Sequence, residues 1–128
     1  MTDVVAALIW REGCFLACRR PAHKARALLW EFPGGKVDPG ETPEQALLRE
    51  CREELAADLE IGEVYMRVVH AYPDLTVRLT LYHAAIPRGE PQMLEHAELR
   101  WVAPRETRGM DFCPADTDIL KKLRADYP

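Results

Sequence analysis

The chain is 128 residues long, 48% hydrophobic and 30% charged, with a formal net charge of −4 at pH 7. That is the make-up of an ordinary soluble protein, expected to form one domain over residues 1–128, and its acidic balance argues against gripping a long polyphosphate backbone by charge alone. The longest apolar run, Val4 to Trp10, is too short to span a bilayer and has no basic leader.

Val4 to Trp10 and Cys14 to Arg19 flank the turn Arg11-Glu12-Gly13, which predicts a hairpin. Arg20 ends the second strand, either as a surface arginine or as a fork that holds phosphate or a base edge. Pro21 to Leu28 reads as a loop carrying His23, Lys24 and Arg26. Leu29 to Pro33 is a third short strand leading into Gly34-Gly35, a glycine turn that can bring backbone close to a ligand. Phe32 is a core residue or a surface on which a base stacks.

The next helix can be argued from its start. Thr42 is a good N-cap, Pro43 fits the first helical position, and Gln45 completes a capping box. The helix is expected to run to about Leu59, with Leu48, Cys51, Leu55 and Leu59 as its apolar stripe. Glu50, Glu53 and Glu54 fall within about 100° on the other side. On composition alone this is equally a solvated acidic face. Against that, carboxylates one turn apart repel unless a cation sits between them. An oxygen-rich, thiolate-free cluster suits a hard ion such as Mg²⁺ or Mn²⁺.

Val64 to Tyr72 and Leu75 to Ile86 form a second hairpin around Pro73-Asp74, with Leu75, Val77, Leu79 and Leu81 alternating against polar residues. His70 and His83 read as packed or surface histidines, since neither has a partner at ligand spacing. Glu95 and Glu98, ahead of a last strand at Leu99 to Ala103, are loop carboxylates or additions to the acidic cluster. Pro104 to Met110 is a short helical turn. Asp116 or Thr117 caps a final helix whose apolar face is Ile119, Leu120, Leu123 and Tyr127. The four cysteines (Cys14, Cys18, Cys51, Cys113) form no C-x-x-C pair, which argues against zinc and fits free thiols in a reducing cytoplasm. The order of elements gives an α+β fold, a mixed sheet sandwiched between helices.

The stretch from Gly35 to Glu54 resembles the Nudix box, G-x5-E-x7-R-E-U-x-E-E-x-G-U, where U is a bulky aliphatic residue. Gly35, Glu41, Arg49, Glu50, Glu53 and Glu54 match at the right spacing, while Cys51, Ala56 and Ala57 depart from it. Ala56 stands where a glycine normally supplies the left-handed residue that ends the helix. The segments LLWEFPGGKVDPGETPEQALLREC, ELRWV and PADTDILKKL are similar to the MutT branch, including its CTP pyrophosphohydrolases.

The resemblance implies a Nudix fold. It also implies Mg²⁺-dependent hydrolysis of nucleoside triphosphates, oxidised or otherwise modified ones such as 8-oxo-dGTP or modified dCTP among them, to a monophosphate and pyrophosphate. It implies that a backbone carbonyl of Gly34 or Gly35 holds metal together with Glu53 and Glu54. Glu50 becomes a further ligand or the base that activates water, and Glu95 a more distant ligand. So many carboxylates exceed what one cation requires, so two or more ions are expected during turnover. Glu41 and Arg49 take structural roles. Arg20, Glu31, Phe32, Gly34, Lys36, Arg78 and Asp116 fall to the substrate. The partner implied is a small nucleotide, with neither polymeric nucleic acid nor membrane required; base, sugar and oligomeric state stay open. Two other readings stand beside it. HAYPDLTVRLTLYH is similar to the non-catalytic domain with which adenine-DNA glycosylases recognise 8-oxoguanine, and the box also serves hydrolases of other diphosphates such as ADP-ribose.

Overall fold

The computed structural model describes all residues, Met1 to Pro128. Strands β1 (Thr2–Arg11) and β2 (Cys14–Arg19) form the expected hairpin, turning through Glu12 and Gly13, both at positive φ, as a tight two-residue turn requires. β1 runs through the middle of a seven-stranded sheet. Along one edge it pairs in parallel with β6 (Thr76–Ala85), itself antiparallel to β5 (Glu60–Ala71). Along the other edge β1 pairs first with β4 (Gly34–Lys36) and then with β2. Beyond β2 lie β3 (Trp30–Glu31) and β7 (Glu98–Val102).

Val5 to Ile9 are all buried because both faces of β1 are covered. Side chains alternate across a strand, so Val5, Ala7 and Ile9 pack with helix α1 (Pro43–Leu55), while Ala6 and Leu8 pack with helix α2 (Thr117–Asp126). This is the α+β sandwich expected from the order of elements. No helix is long and apolar enough to cross a membrane, and all four cysteines are free thiols.

Helix α1 begins as its sequence dictates. The Thr42 hydroxyl accepts from the Gln45 amide at 3.1 Å, and the Gln45 side chain accepts from the Thr42 amide at 2.9 Å. It ends four residues earlier than expected, at Leu55 rather than Leu59. Ala56 adopts φ 51° and ψ 36°, a left-handed conformation that stops the helix, and its N–H closes the last turn on Arg52 O. An alanine there takes the shape a glycine would take more cheaply, at a cost of about 1 kcal/mol. Leu59 is still buried, but from the connection to β5.

Five further expectations are corrected. The third strand is split, and Gly34-Gly35 is not a turn but part of β4, set against Ala6 and Val5. A β-carbon on Gly34 would collide with the Val5 backbone, so glycine is what allows the two strands to close. β5 starts at Glu60, not Val64, because two irregularities between Ile61 and Met66 absorb residues that break the alternation. Finally, Asp116 precedes α2 but its side chain makes no capping bond, and Tyr127 lies past the helix end, where its ring packs 4.7 Å from that of Trp10.

Candidate active site

β3, β4, α1, the loop before β7 and the turn before α2 enclose one cavity of about 440 Å³, a size suited to a small-molecule ligand. Its two ends differ in chemistry. One is lined by Gly34, Gly35, Lys36, Glu50, Glu54, Glu95 and His96; the other by Arg20, Phe32, Tyr72, Val77, Leu79, Cys113 and Asp116, with Glu31 also in the wall.

At the acidic end Arg49 is the organiser. Its guanidinium forks onto Glu41 at 2.8 and 2.9 Å, reaches Glu50 at 2.9 Å, and donates to the Lys36 carbonyl at 3.1 Å. A planar fork of this kind fixes direction as well as distance, which lysine does not do. Glu41 also accepts from the Asp38 amide at 2.9 Å, so that Arg49 and this amide hold its carboxyl down at about 2. The box residues Glu41 and Arg49 thereby tie β4, the acidic loop and α1 together.

Glu54 is only 5% exposed, not on an open face. The loop after β6 explains this, since its Gln92 and Leu94 amides donate to the Leu55 and Glu54 carbonyls at 2.7 and 3.3 Å. The loop thus satisfies the end of α1 and carries Glu95 and His96 into the cavity wall. Burial first, then the charges of Glu31, Glu50 and Glu95, push the Glu54 carboxyl up to about 9. Burial also raises Glu50, against the opposing pull of Arg49. Glu53, with a side chain 54% exposed, reaches Arg49 at 3.5 Å and stands outside the cavity wall.

His96 is a buried residue of the cavity wall that sequence reasoning did not single out. Its Nε2 lies 3.5 Å from Glu31 and 3.9 Å from Glu54, and it joins the two ends of the cavity. The signal was a histidine directly after a carboxylate expected to ligate. His70 and His83, the histidines weighed instead, pack against Tyr72 and Tyr65 and do not line the cavity.

At the other end Arg20 donates to Glu31 at 2.9 Å and to the Ala25 carbonyl at 2.7 Å, so it braces the wall. Phe32 contributes to the wall while its ring stacks on Phe15 at 5.3 Å. Asp116 is buried, and burial first, then the charge of Glu31, raises its carboxyl far above the usual range. A neutral carboxyl donates as well as accepts. Arg78 leaves the set of substrate contacts. Strand alternation turns Val77 and Leu79 to the cavity and Arg78 to the opposite face, where it pairs with Asp3 at 2.6 Å. Glu98 is likewise outside, held by Arg100 at 2.7 Å.

The donor set at the acidic end fits a hard cation. Its carboxylates and glycine carbonyls are oxygen donors, and one oxygen, Glu54 Oε2, is buried without any hydrogen-bond partner. As arranged, no three carboxylate, imidazole or thiol groups are near enough to grip an ion unaided. Glu50 is drawn to Arg49 instead.

The NUDIX domain family matches residues 4–122. The chain is 39% identical over 125 residues to the CTP pyrophosphohydrolase of Escherichia coli K12, covering 98% of this chain and 93% of that protein. It is 40% identical over 122 residues to the 8-oxo-dGTP diphosphatase of Haemophilus influenzae, covering 94% and 90% respectively. The crystal structure of a MutT protein from Methanosarcina mazei Go1 superposes with a TM-score of 0.88 at 26% identity, over 98% of this chain and 94% of that one.

Proposed function

The chain belongs to the NUDIX family of phosphoanhydride hydrolases, which work with a divalent metal, and on that premise we propose that it hydrolyses a nucleoside triphosphate to the monophosphate and pyrophosphate. The observation that carries the reading is a single cavity joining a carboxylate-rich end at Glu50, Glu54 and Glu95 to an end with the aromatic and hydrogen-bonding groups a base needs, at Phe32, Tyr72 and Asp116.

Glu50, Glu54 and Glu95, with a backbone carbonyl of Gly34 or Gly35, would hold Mg²⁺, or Mn²⁺ in its place, and Glu53, now outside the wall beside Arg49, would have to turn inward to join them. Bound there, the metal neutralises phosphate charge and makes water more acidic. The chain's own residues do the rest. Arg49 fixes the direction of Glu50, whose raised carboxyl suits it to take a proton from the attacking water. Lys36 faces the phosphates as a cation beside the acidic cluster. Burial favours the protonated form of the Asp116 carboxyl, which would offer the base edge an O–H donor beside its acceptor oxygens. Cytidine nucleotides and oxidised or otherwise modified purine and pyrimidine triphosphates are the substrates favoured by these features and by the likeness to the two named relatives.

The test is a panel of nucleoside triphosphates, modified ones included, ranked by kcat/KM for pyrophosphate release with Mg²⁺. The expected result is metal-dependent release with a clear preference among bases. Hydrolysis of ADP-ribose alone, with no triphosphate turned over, would overturn the reading.

A further inference from the structure

The turn that carries Asp116 is anchored from a distant part of the chain. Pro114 opens this 3₁₀ turn, Pro114–Asp116, and has no N–H, and the preceding Cys113 supplies no side-chain cap. The first donor needing a partner is therefore the Ala115 amide. It donates to the phenolic oxygen of Tyr72 at 2.9 Å, across 43 residues of sequence. Tyr72 thus acts as a remote cap for the turn, and its own O–H is left free to donate. Burial raises the Tyr72 phenol above its ordinary value, so it stays neutral. Tyr72, Ala115 and Asp116 line the same end of the cavity.

Tyr72 is itself held. The Arg26 guanidinium lies 4.1 Å from the centre of its ring, and Arg26 Nη1 sits 3.1 and 3.4 Å from the two carboxylate oxygens of Asp74. His70 meets the ring at 4.5 Å, and the Tyr72 amide donates to Leu75 O at 2.8 Å, closing the β5–β6 turn. The loop after β2 bends sharply to deliver Arg26. Arg26 and Leu28 adopt φ of 56° and 62°, left-handed values that residues with side chains seldom take. Such strain persists only where surrounding contacts over-determine it, and it concentrates at ligand clamps. Here the contacts are the aromatic face of Tyr72 and the carboxylate of Asp74.

We propose that Tyr72, clamped by Arg26 and Asp74, is a specificity-determining positioning residue: by capping Ala115 it fixes where Asp116 meets the base of the nucleotide. This rests on the proposed assignment of Asp116 to the base. Because the clamp touches none of Glu50, Glu53, Glu54 and Glu95, it acts on which base is accepted and how tightly, more than on cleavage of the anhydride.

Tyr72→Phe keeps the ring and removes the acceptor. With Arg26→Gln and Asp116→Ala beside it, the kcat/KM ranking over the nucleotide panel is measured, together with hydrogen exchange at the Ala115 amide. Tyr72→Phe is expected to speed exchange at Ala115 by roughly tenfold, the loss of about one hydrogen bond. It is also expected to narrow the spread among bases, mainly through KM, with a smaller fall in kcat. Arg26→Gln should move both in the same direction by less, and it carries the test if Tyr72→Phe does not fold. If Asp116→Ala changes the ranking but Tyr72→Phe and Arg26→Gln keep the wild-type one, the clamp is overturned while the base assignment stands. If Asp116→Ala itself leaves the ranking unchanged, the base assignment fails and takes the clamp with it.

Discussion

Gly35 lies directly against the carboxylate of Glu50, so close that a β-carbon at Gly35 would overlap it. The glycines of β4 are therefore needed for two different reasons. At Gly34 the obstacle is the rigid backbone of Val5; at Gly35 it is the movable end of a side chain. Gly34→Ala is expected to destabilise the fold by a few kcal/mol, as close backbone overlaps do. Gly35→Ala should leave the melting temperature within a few degrees of wild type while pyrophosphate release falls by at least about tenfold, because Glu50 is displaced from its place beside Arg49. Thermal melts alongside steady-state assays check both. Equal loss of stability in the two variants would contradict this division.

Ala56 offers a stabilising change. It already occupies the left-handed region, where glycine has no steric cost. Ala56→Gly should raise unfolding free energy by up to about 1 kcal/mol, read from urea denaturation, without altering activity. A loss of stability would mean that the Ala56 methyl packs in a way its backbone conformation does not reveal.

These positions also show how far the sequence could be read. Thr42, Pro43 and Gln45 are local signals acting over three residues, and the start of α1 follows from them. Its end does not, since alanine carries no sign that it will adopt a left-handed conformation. That Glu54 and Glu50 share one acidic wall was legible in their spacing along α1, but the burial of Glu54 was not. A helical wheel cannot show that the loop holding Gln92 and Leu94 will cover the end of α1. Arg78 failed on register: one residue along a strand changes the face, and only the pairing of Asp3 with Arg78 on β1 and β6 settles which. His96 and Tyr72 meet residues distant in sequence, Glu31 and Ala115, and such contacts leave no local pattern.

Arg49 should not tolerate lysine. Its fork holds Glu41 at two oxygens while a third N–H fixes Glu50. Arg49→Lys keeps the charge and loses the geometry. The expected outcome is a fall in kcat of about tenfold or more, with little change in KM, measured under saturating Mg²⁺. Activity close to wild type would show that charge alone suffices.

The buried Glu54 sets a dependence on pH in the absence of metal. Its folded carboxyl titrates at about 9, well above its ordinary 4.5. Between those values the folded state holds a proton that the unfolded state has released, so stability falls as pH rises through that window. Metal-free protein should melt at progressively lower temperature from about pH 5 to pH 9, and Glu54→Gln should flatten that slope. Adding Mg²⁺ should restore stability at the alkaline end for wild type and not for Glu54→Gln. A wild-type melting temperature that rises over this range, or an unchanged slope in the variant, would contradict the assignment of a high carboxyl to Glu54.

The role of Glu54 is tested most directly by titrating Mn²⁺ calorimetrically into wild type and Glu54→Gln, each with a non-hydrolysable nucleoside triphosphate bound. Wild type should take up the ion, and the variant should bind it at least about tenfold more weakly, since a neutral amide replaces a carboxylate at the acidic end of the cavity. Equal affinity in the two proteins, or no uptake by wild type, would contradict a hydrolase whose metal is held by that carboxylate.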